Sequence, residues 1–304
     1  MRILLTGGSG FIGSQVLNRL VRQGHDVSAI VRPDGDRSKI EPSISSFELL
    51  EFDLRNVEDA AAVLTEGKFE LCIHLAWFAE PGLYLGSIEN TASLSSTLRL
   101  ATILARSGCR KFVGVGTCFE YDFNDQKLSE SSPLNPDSLY SACKTAAAVG
   151  LRNITRDSGM QTAWSRLFYQ YGPFEDHRRL VPAILASLID GEIVETTEGE
   201  QARDFLHVED VASAICAVGF SELTGTVNVG SGQPVLVREI VQKLGEIIGR
   251  EDLIEFGALP YRDGDPMYMC ADNRRLKDNT DWQPKYDLDG GLRHTAAWWM
   301  KELG

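Results

Sequence analysis

Long apolar runs are missing from this chain: no stretch approaches the ~18 consecutive residues that a membrane helix needs, so no membrane partner is expected. An excess of cations is missing too. Lys and Arg number 30 against 43 Asp and Glu, a net charge of −13, and such a field disfavours nucleic acid or an acidic membrane surface as partner. Any anionic ligand must be held by local cations and backbone N–H groups. The six cysteines (Cys72, Cys109, Cys118, Cys143, Cys216 and Cys270) show no Cys-x-x-Cys or other metal-ligand spacing. Reduced thiols are expected, and no metal site. The opening Met1-Arg2-Ile3-Leu4-Leu5 is too short for a signal-peptide core and leads straight into glycines, so it is expected to be a strand of a soluble, cytoplasmic protein.

What is present is an alternation of short apolar strands with amphipathic stretches. Strands are predicted at 2–6, 27–31, 48–52, 71–75, 111–115 and 162–167, and helices at 12–23, 87–107 and 139–156. That succession predicts an α/β fold, a doubly wound parallel sheet with helices on both faces. After Tyr171-Gly172-Pro173 the pattern changes: a helix at 179–190, followed by 191–197 and a turn at Glu198-Gly199-Glu200, then a return to the sheet over 205–220 and 225–229. A helix at 237–249, a Pro-, Gly- and Asp-rich loop at 257–266 and a final helix with Trp298 and Trp299 follow. Residues 1–171 with 204–233 are read as a dinucleotide-binding domain, and 172–203 with 234–304 as a smaller substrate lobe.

Gly7, Gly10 and Gly13 follow the first strand and open a helix through Phe11 and Ile12. The first glycine permits a tight turn, the second lets backbone approach a pyrophosphate, and the third lets helix pack close to strand. The helix N-terminus adds free N–H groups and a positive dipole end. An NAD site wants an acid at the end of the second strand, whereas an NADP site wants a cation. Here Val31 is followed by Arg32, with Arg37 close behind, so NADP(H) is favoured and NAD(H) stays open. Asp53-Leu54, past the third strand, is placed to contact the adenine; the alternative for Asp53 is a helix N-cap.

Tyr140 and Lys144 are four apart on a predicted helix and so share a face. An ammonium there can lower the pKa of a phenol, suiting Tyr140 to pass a proton near neutral pH; the alternative is an ordinary helix-surface pair. Thr117, running off the fifth strand, can hydrogen-bond a substrate carbonyl with Tyr140, or else a neighbouring backbone group.

The assembled set resembles the extended short-chain dehydrogenase/reductase family, especially its nucleotide-sugar-modifying members. It comprises the Thr-Gly-x-x-Gly-x-x-Gly start, Asp53-Leu54, His74-Leu75-Ala76, Asn90, Thr117, Tyr140-x-x-x-Lys144 and Tyr171-Gly172-Pro173. It continues through Leu180-Val181-Pro182, Arg203-Asp204-Phe205-Leu206-His207-Val208-x-Asp210 and Arg262 with Gly264-Asp265. The resemblance implies a Rossmann fold with Thr117, Tyr140 and Lys144 catalytic, and Lys144 also on the nicotinamide ribose. Leu75 and Ala76 then border the cofactor, while Arg203 and Arg262 hold the diphosphate of a sugar nucleotide; Arg178 and Arg179, ahead of Leu180-Val181-Pro182, can add charge near the nucleotide, the alternative for at least one being a solvated helix end. Helices 87–107 and 139–156 match those that pair two subunits in many members, so a homodimer is expected.

Three departures qualify the resemblance. Sugar 4,6-dehydratases of the family carry Asp-Glu directly after the catalytic Thr; here those places are Cys118-Phe119, and Glu120 is expected to point to the other side of a continuing strand. Trp77-Phe78 replaces commoner small residues and implies an aromatic pocket wall. Tyr169 stands where an asparagine is usual, leaving its sugar or phosphate contact open. The expected function is reduction of an NDP-4-keto-6-deoxysugar. The alternatives are an NAD-dependent nucleotide-sugar 4-epimerase and a non-enzymatic cofactor-sensing regulator, which would have no need of the proton relay.

Overall fold

The computed structural model describes residues 1–40, 45–123 and 127–303; residues 41–44, 124–126 and 304 of the ranges above lie outside it. Seven parallel strands form one sheet, ordered Gly225–Val229, Gln161–Leu167, Lys111–Thr117, Leu71–His74, Arg2–Thr6, Asp26–Val31, Glu48–Glu51. Alternate residues of the central strands serve two different cores, as a period of two requires. Ile3, Leu5, Leu71, Ile73, Val113 and Val115 pack towards helices Phe11–Arg22 and Val208–Phe220. Leu4, Cys72 and Phe112 pack on the opposite face with Leu100, Leu104, Ala147 and Leu151 of helices Glu89–Arg106 and Leu139–Ile154. Burial on both faces explains why these strands read as continuous apolar runs. All six cysteines are buried and unpaired. Among the described residues no helix is long and apolar enough to cross a membrane.

A separate core joins helices Leu180–Asp190, Val237–Ile248 and Leu288–Leu303 through Leu185, Leu188, Ile240, Leu244, Leu292 and Trp299. Two differences from the sequence reading bear on the site. The fifth strand continues past 115 to Thr117, paired throughout with Gln161–Leu167, which sets Thr117 at a strand tip. The 205–220 stretch does not rejoin the large sheet: among the described residues Phe205–His207 pairs only with Tyr169–Tyr171, and Val208–Phe220 is a helix. The His207 side chain marks that switch by accepting from the Glu209 N–H at 3.2 Å, an N-cap.

Candidate active site

A cavity of about 2190 Å³ runs along the C-terminal ends of the strands, more than twice the ~1,000 Å³ of a large single-ligand pocket. It has room for two ligands end to end. Gly7, Gly10, Phe11, Ile12 and Gly13 line one end. Gly7 has φ 71, and a Cβ on it would sit 2.7 Å from the Ala76 nitrogen. On Gly13 a Cβ would meet the Gly7 carbonyl at 1.9 Å, so the third glycine lets the helix close on the glycine turn itself rather than on the strand. At Gly10 the nearest atom stands 3.3 Å away and nothing else lies within 4 Å. A side chain there would fill the cradle above the helix start. That helix has no side-chain N-cap, so its first N–H groups are left for a ligand.

Arg32, Asp53, Leu54, Leu75 and Ala76 line the same end. Arg37 does not line it: its guanidinium is taken up by Glu51 and by the Pro33 carbonyl at 3.2 Å, across the loop rather than into the cavity. Asp53 lines the cavity and is also the N-cap that stood as the alternative to an adenine contact. It caps the turn Leu54–Ala60 by accepting from the Arg55 N–H at 2.9 Å, and its carboxylate is bound by the Arg55 guanidinium at 2.6 Å.

The strand tip, the following turn and helix Leu139–Ile154 bring Thr117, Tyr140 and Lys144 together. Ser138 and Ser141 cap that helix reciprocally, and the Tyr140 N–H donates to the Leu85 carbonyl at 3.0 Å. The Tyr84 ring stands edge-on to Tyr140 at 4.8 Å. Lys144 is buried, donates to the Val115 carbonyl at 2.7 Å, and lies 3.9 Å from the Trp77 ring centre. Trp77 is itself fixed by donating to Asn90 at 2.8 Å. Thr117 Oγ1 accepts from the Phe119 N–H at 3.3 Å and favours the charged form of the Tyr140 phenol.

The expected depression of the Tyr140 phenol is not what this geometry gives. Although part of Tyr140 reaches the cavity, dense surroundings desolvate its hydroxyl and push it well above the usual tyrosine range, with Tyr84 and Cys118 adding to the rise and Thr117 opposing it. Lys144 faces the Val115 carbonyl, with its nitrogen 5.8 Å from the centre of the Tyr140 ring. Burial brings Lys144 down to about 7, against an upward pull from Glu120.

Glu120 also departs from expectation. The strand ends at Thr117 and a turn, Cys118–Glu120, folds the carboxylate back beneath it. There Oε1 accepts from the Thr117 N–H at 3.0 Å and from Trp164 Nε1 at 2.9 Å, while Oε2 pairs with Arg166 Nε at 2.9 Å. Neither Glu120 nor Arg166 is exposed by more than 4%, so all of this charge is compensated inside the protein. An arginine in a strand expected to be buried in the parallel sheet was the available hint, because buried guanidinium requires a buried anion.

At the other end, Trp77, Phe78, Phe119 and Tyr169 supply an aromatic wall. Arg203, Arg179 and Arg262 line the same cavity. Arg203 is buried under the Tyr169 ring at 5.7 Å and is paired with Asp265 at 2.7 Å. Arg179 lies over Tyr84 at 5.2 Å, whereas Arg178 is bound to Glu80 and Asp176 at 2.6 and 2.7 Å. Glu175, which no motif singles out, also lines the cavity. One of its oxygens is buried without a hydrogen-bond partner, and burial lifts the carboxyl to about 8. The residue before it, Phe174, has φ 69.

A family model described as the NAD dependent epimerase/dehydratase family matches residues 3–230. UDP-glucose 4-epimerase of Mycolicibacterium smegmatis is 29% identical over 99% of this chain and 99% of its own. dTDP-glucose 4,6-dehydratase of Streptomyces griseus is 27% identical over 98% of this chain and 94% of its own. The structure of Thermus thermophilus UDP-glucose 4-epimerase complexed with NAD superposes with TM-score 0.85 at 26% identity, covering 98% of this chain and 99% of the other. The chain belongs to the NAD dependent epimerase/dehydratase family.

Proposed function

We propose that the protein is a nicotinamide-dependent enzyme working at C4 of a nucleotide sugar, and within that class an NADPH-dependent reductase of an NDP-4-keto-6-deoxysugar. The observation that carries the class is one cavity bordered by the glycine turn, by Thr117, Tyr140 and Lys144, and by Arg203 and Arg262. The bare cradle at Gly10 and the uncapped helix start fit a dinucleotide pyrophosphate. Phe11, Ile12, Asp53, Leu54, Leu75 and Ala76 would border the rest of it, and Lys144 its nicotinamide ribose. When bound, the nicotinamide supplies the hydride. Arg32, at a strand end that carries no acid, supports a 2′-phosphate; this favours NADP(H) over the NAD named in the family's description. Arg37, held by Glu51, is left out of the cofactor site.

Tyr140 gives its proton to the oxygen on C4. A phenol kept neutral by burial is suited to donation during reduction, and Thr117 fixes the same oxygen. The Lys144 ammonium faces the developing charge. Arg203 and Arg262 hold the diphosphate through paired N–H bonds, with Arg179 near the nucleotide and Trp77 and Tyr169 against the sugar. Although one relative is named a 4,6-dehydratase, the residues after Thr117 speak against elimination of water: Cys118 and Phe119 carry no acid, and Glu120 is committed to Arg166. The substrate lobe is proposed as residues 172–203 and 234–304, the cofactor domain as 1–171 and 204–233, and the assembly as a homodimer through helices Glu89–Arg106 and Leu139–Ile154.

The 4-epimerase reading is favoured by the names of the Mycolicibacterium and Thermus relatives. One experiment separates the two. Freshly purified protein is scanned for retained dinucleotide, then given NADPH with a dTDP-4-keto-6-deoxysugar, and separately UDP-glucose with no added cofactor. Oxidation of NADPH with the keto sugar supports the reductase. Tightly retained NAD with inversion of UDP-glucose at C4 replaces it with the epimerase.

A further inference from the structure

Three consecutive residues at the tip of the fifth strand organise the reaction centre. The Val115 carbonyl accepts from Lys144, Gly116 carries no side chain, and the Thr117 N–H donates to Glu120. The bare Gly116 is what admits the carboxylate: a Cβ there would stand 2.2 Å from Glu120 Oε1 and 2.2 Å from Trp164 Nε1. Glu120 therefore grips the strand tip from behind while Lys144 grips it from the cavity side. A carboxylate at 0% exposure and a lysine at 4% thus flank one short backbone segment. Burying either charge alone would be costly.

We propose that Glu120 is a positioning residue: it fixes the strand tip that presents Thr117 and supplies the negative charge that keeps the Lys144 ammonium protonated beside Tyr140. This rests on the role given above to Lys144, but its electrostatic content holds whatever the substrate. The groups facing the pair do not supply that charge. His74, buried and held between Thr6 and Thr97 at 2.7 and 2.8 Å, is neutral near pH 7, since burial and Lys144 lower it to about 3. Tyr121 and Cys118 are both raised by burial to about 12 and Tyr140 is raised too, so all three are uncharged. Trp77 and Trp164 present only rings to Lys144, at 3.9 and 5.9 Å from their centres. Arg166 is cationic and opposes the lysine charge; its pairing with Glu120 through Nε only tempers the carboxylate. Glu120 is left as the anion that favours Lys144 in its charged form.

Glu120→Gln keeps the shape and removes the charge; Glu120→Asp keeps the charge and shortens the reach. Protein without substrate is pulsed with an amine-specific acylating reagent across pH 5–10, and modification of the Lys144 peptide is read by mass spectrometry. In Glu120→Gln the midpoint of Lys144 reactivity should fall by about one pH unit, the lower end of what a neighbouring opposite charge contributes. In Glu120→Asp it should stay near the wild-type position, even if melting temperature drops. A purely structural carboxylate predicts the reverse order, with Asp the more disruptive and no directed shift in Gln. If Glu120→Gln does not fold, Glu120→Asp must still titrate like wild type; a lowered midpoint there overturns the proposal. An unchanged midpoint in a folded Glu120→Gln also overturns it. Failure of the nucleotide-sugar reading leaves this titration untouched, so the two are told apart.

Discussion

The wall that carries Thr117, Tyr140 and Lys144 and the wall formed by residues 172–179 differ in how their buried carboxylates are satisfied. Behind the first, Glu120 has a donor for each oxygen and sits on a backbone in extended and helical conformations. In the second, Glu175 keeps a buried oxygen with no partner, directly after a phenylalanine in the left-handed region. That conformation costs on the order of 1 kcal/mol for a residue with a Cβ, and the orphan oxygen adds a desolvation cost. One wall is built to hold a geometry. The other stores an unmet demand next to the cavity.

The largest expected effect tests the satisfied wall. Tyr140→Phe should lower turnover at least ~10²-fold, the scale of lost general acid catalysis, with NADPH affinity near wild type by fluorescence titration. Turnover close to normal removes Tyr140 as the proton donor. Next come the cations around the cavity. Arg203→Ala should raise KM for a sugar nucleotide by roughly tenfold or more with little change in cofactor binding, since uniform binding energy is lost. Calorimetry showing unchanged NDP affinity ends the diphosphate assignment. Arg32→Ala should weaken NADPH by about 1.5–3 kcal/mol, a charge-assisted hydrogen bond, and spare NADH; equal losses for both cofactors contradict the preference for NADP(H).

The last effect, on stability rather than on turnover or binding, sharpens the contrast from the unsatisfied side. The Glu175 carboxyl titrates near 8 when folded and near the ordinary ~4.3 when unfolded. Below about 4 both states hold the proton and nothing is lost. As pH rises, the unfolded chain releases it first, so stability declines until the folded carboxyl also ionises near 8. Glu175→Gln removes that decline. Its melting temperature should match wild type near pH 4 and exceed it near pH 8 by up to on the order of 10 °C, since a carboxyl raised from ~4.3 to about 8 costs at most ~5 kcal/mol at ~2–4 °C per kcal/mol for large domains. A constant difference at both pH values argues that ionisation of Glu175 does not set stability.

The parallel sheet and the glycine turn were legible in the sequence because they depend on local chemistry, namely apolar runs of strand length and glycines where backbone crowds backbone. Thr117, Tyr140 and Lys144 were legible as a set, and one cavity brings them together. The state of their protons was not. Tyr140 and Lys144 are governed by burial, which depends on Trp77, Tyr84 and Trp164 arriving from other segments. Arg37 was misplaced because Glu51, its partner, comes from the end of the third strand. Glu120 was misdirected because the capping turn at Thr117 replaced the assumed strand. Nothing in the local sequence of Glu175 distinguishes it from a surface glutamate.

The strand order has a consequence for how the chain is made. Gln161–Leu167 lies between Lys111–Thr117 and Gly225–Val229, yet its outer neighbour is synthesised only after residues 168–224. Until then its N–H and C=O groups form a bare border, an open template for another nascent chain. A message cut short before Gly225 should therefore yield aggregates rather than a smaller soluble protein, although the glycine turn, Thr117, Tyr140 and Lys144 would all be present.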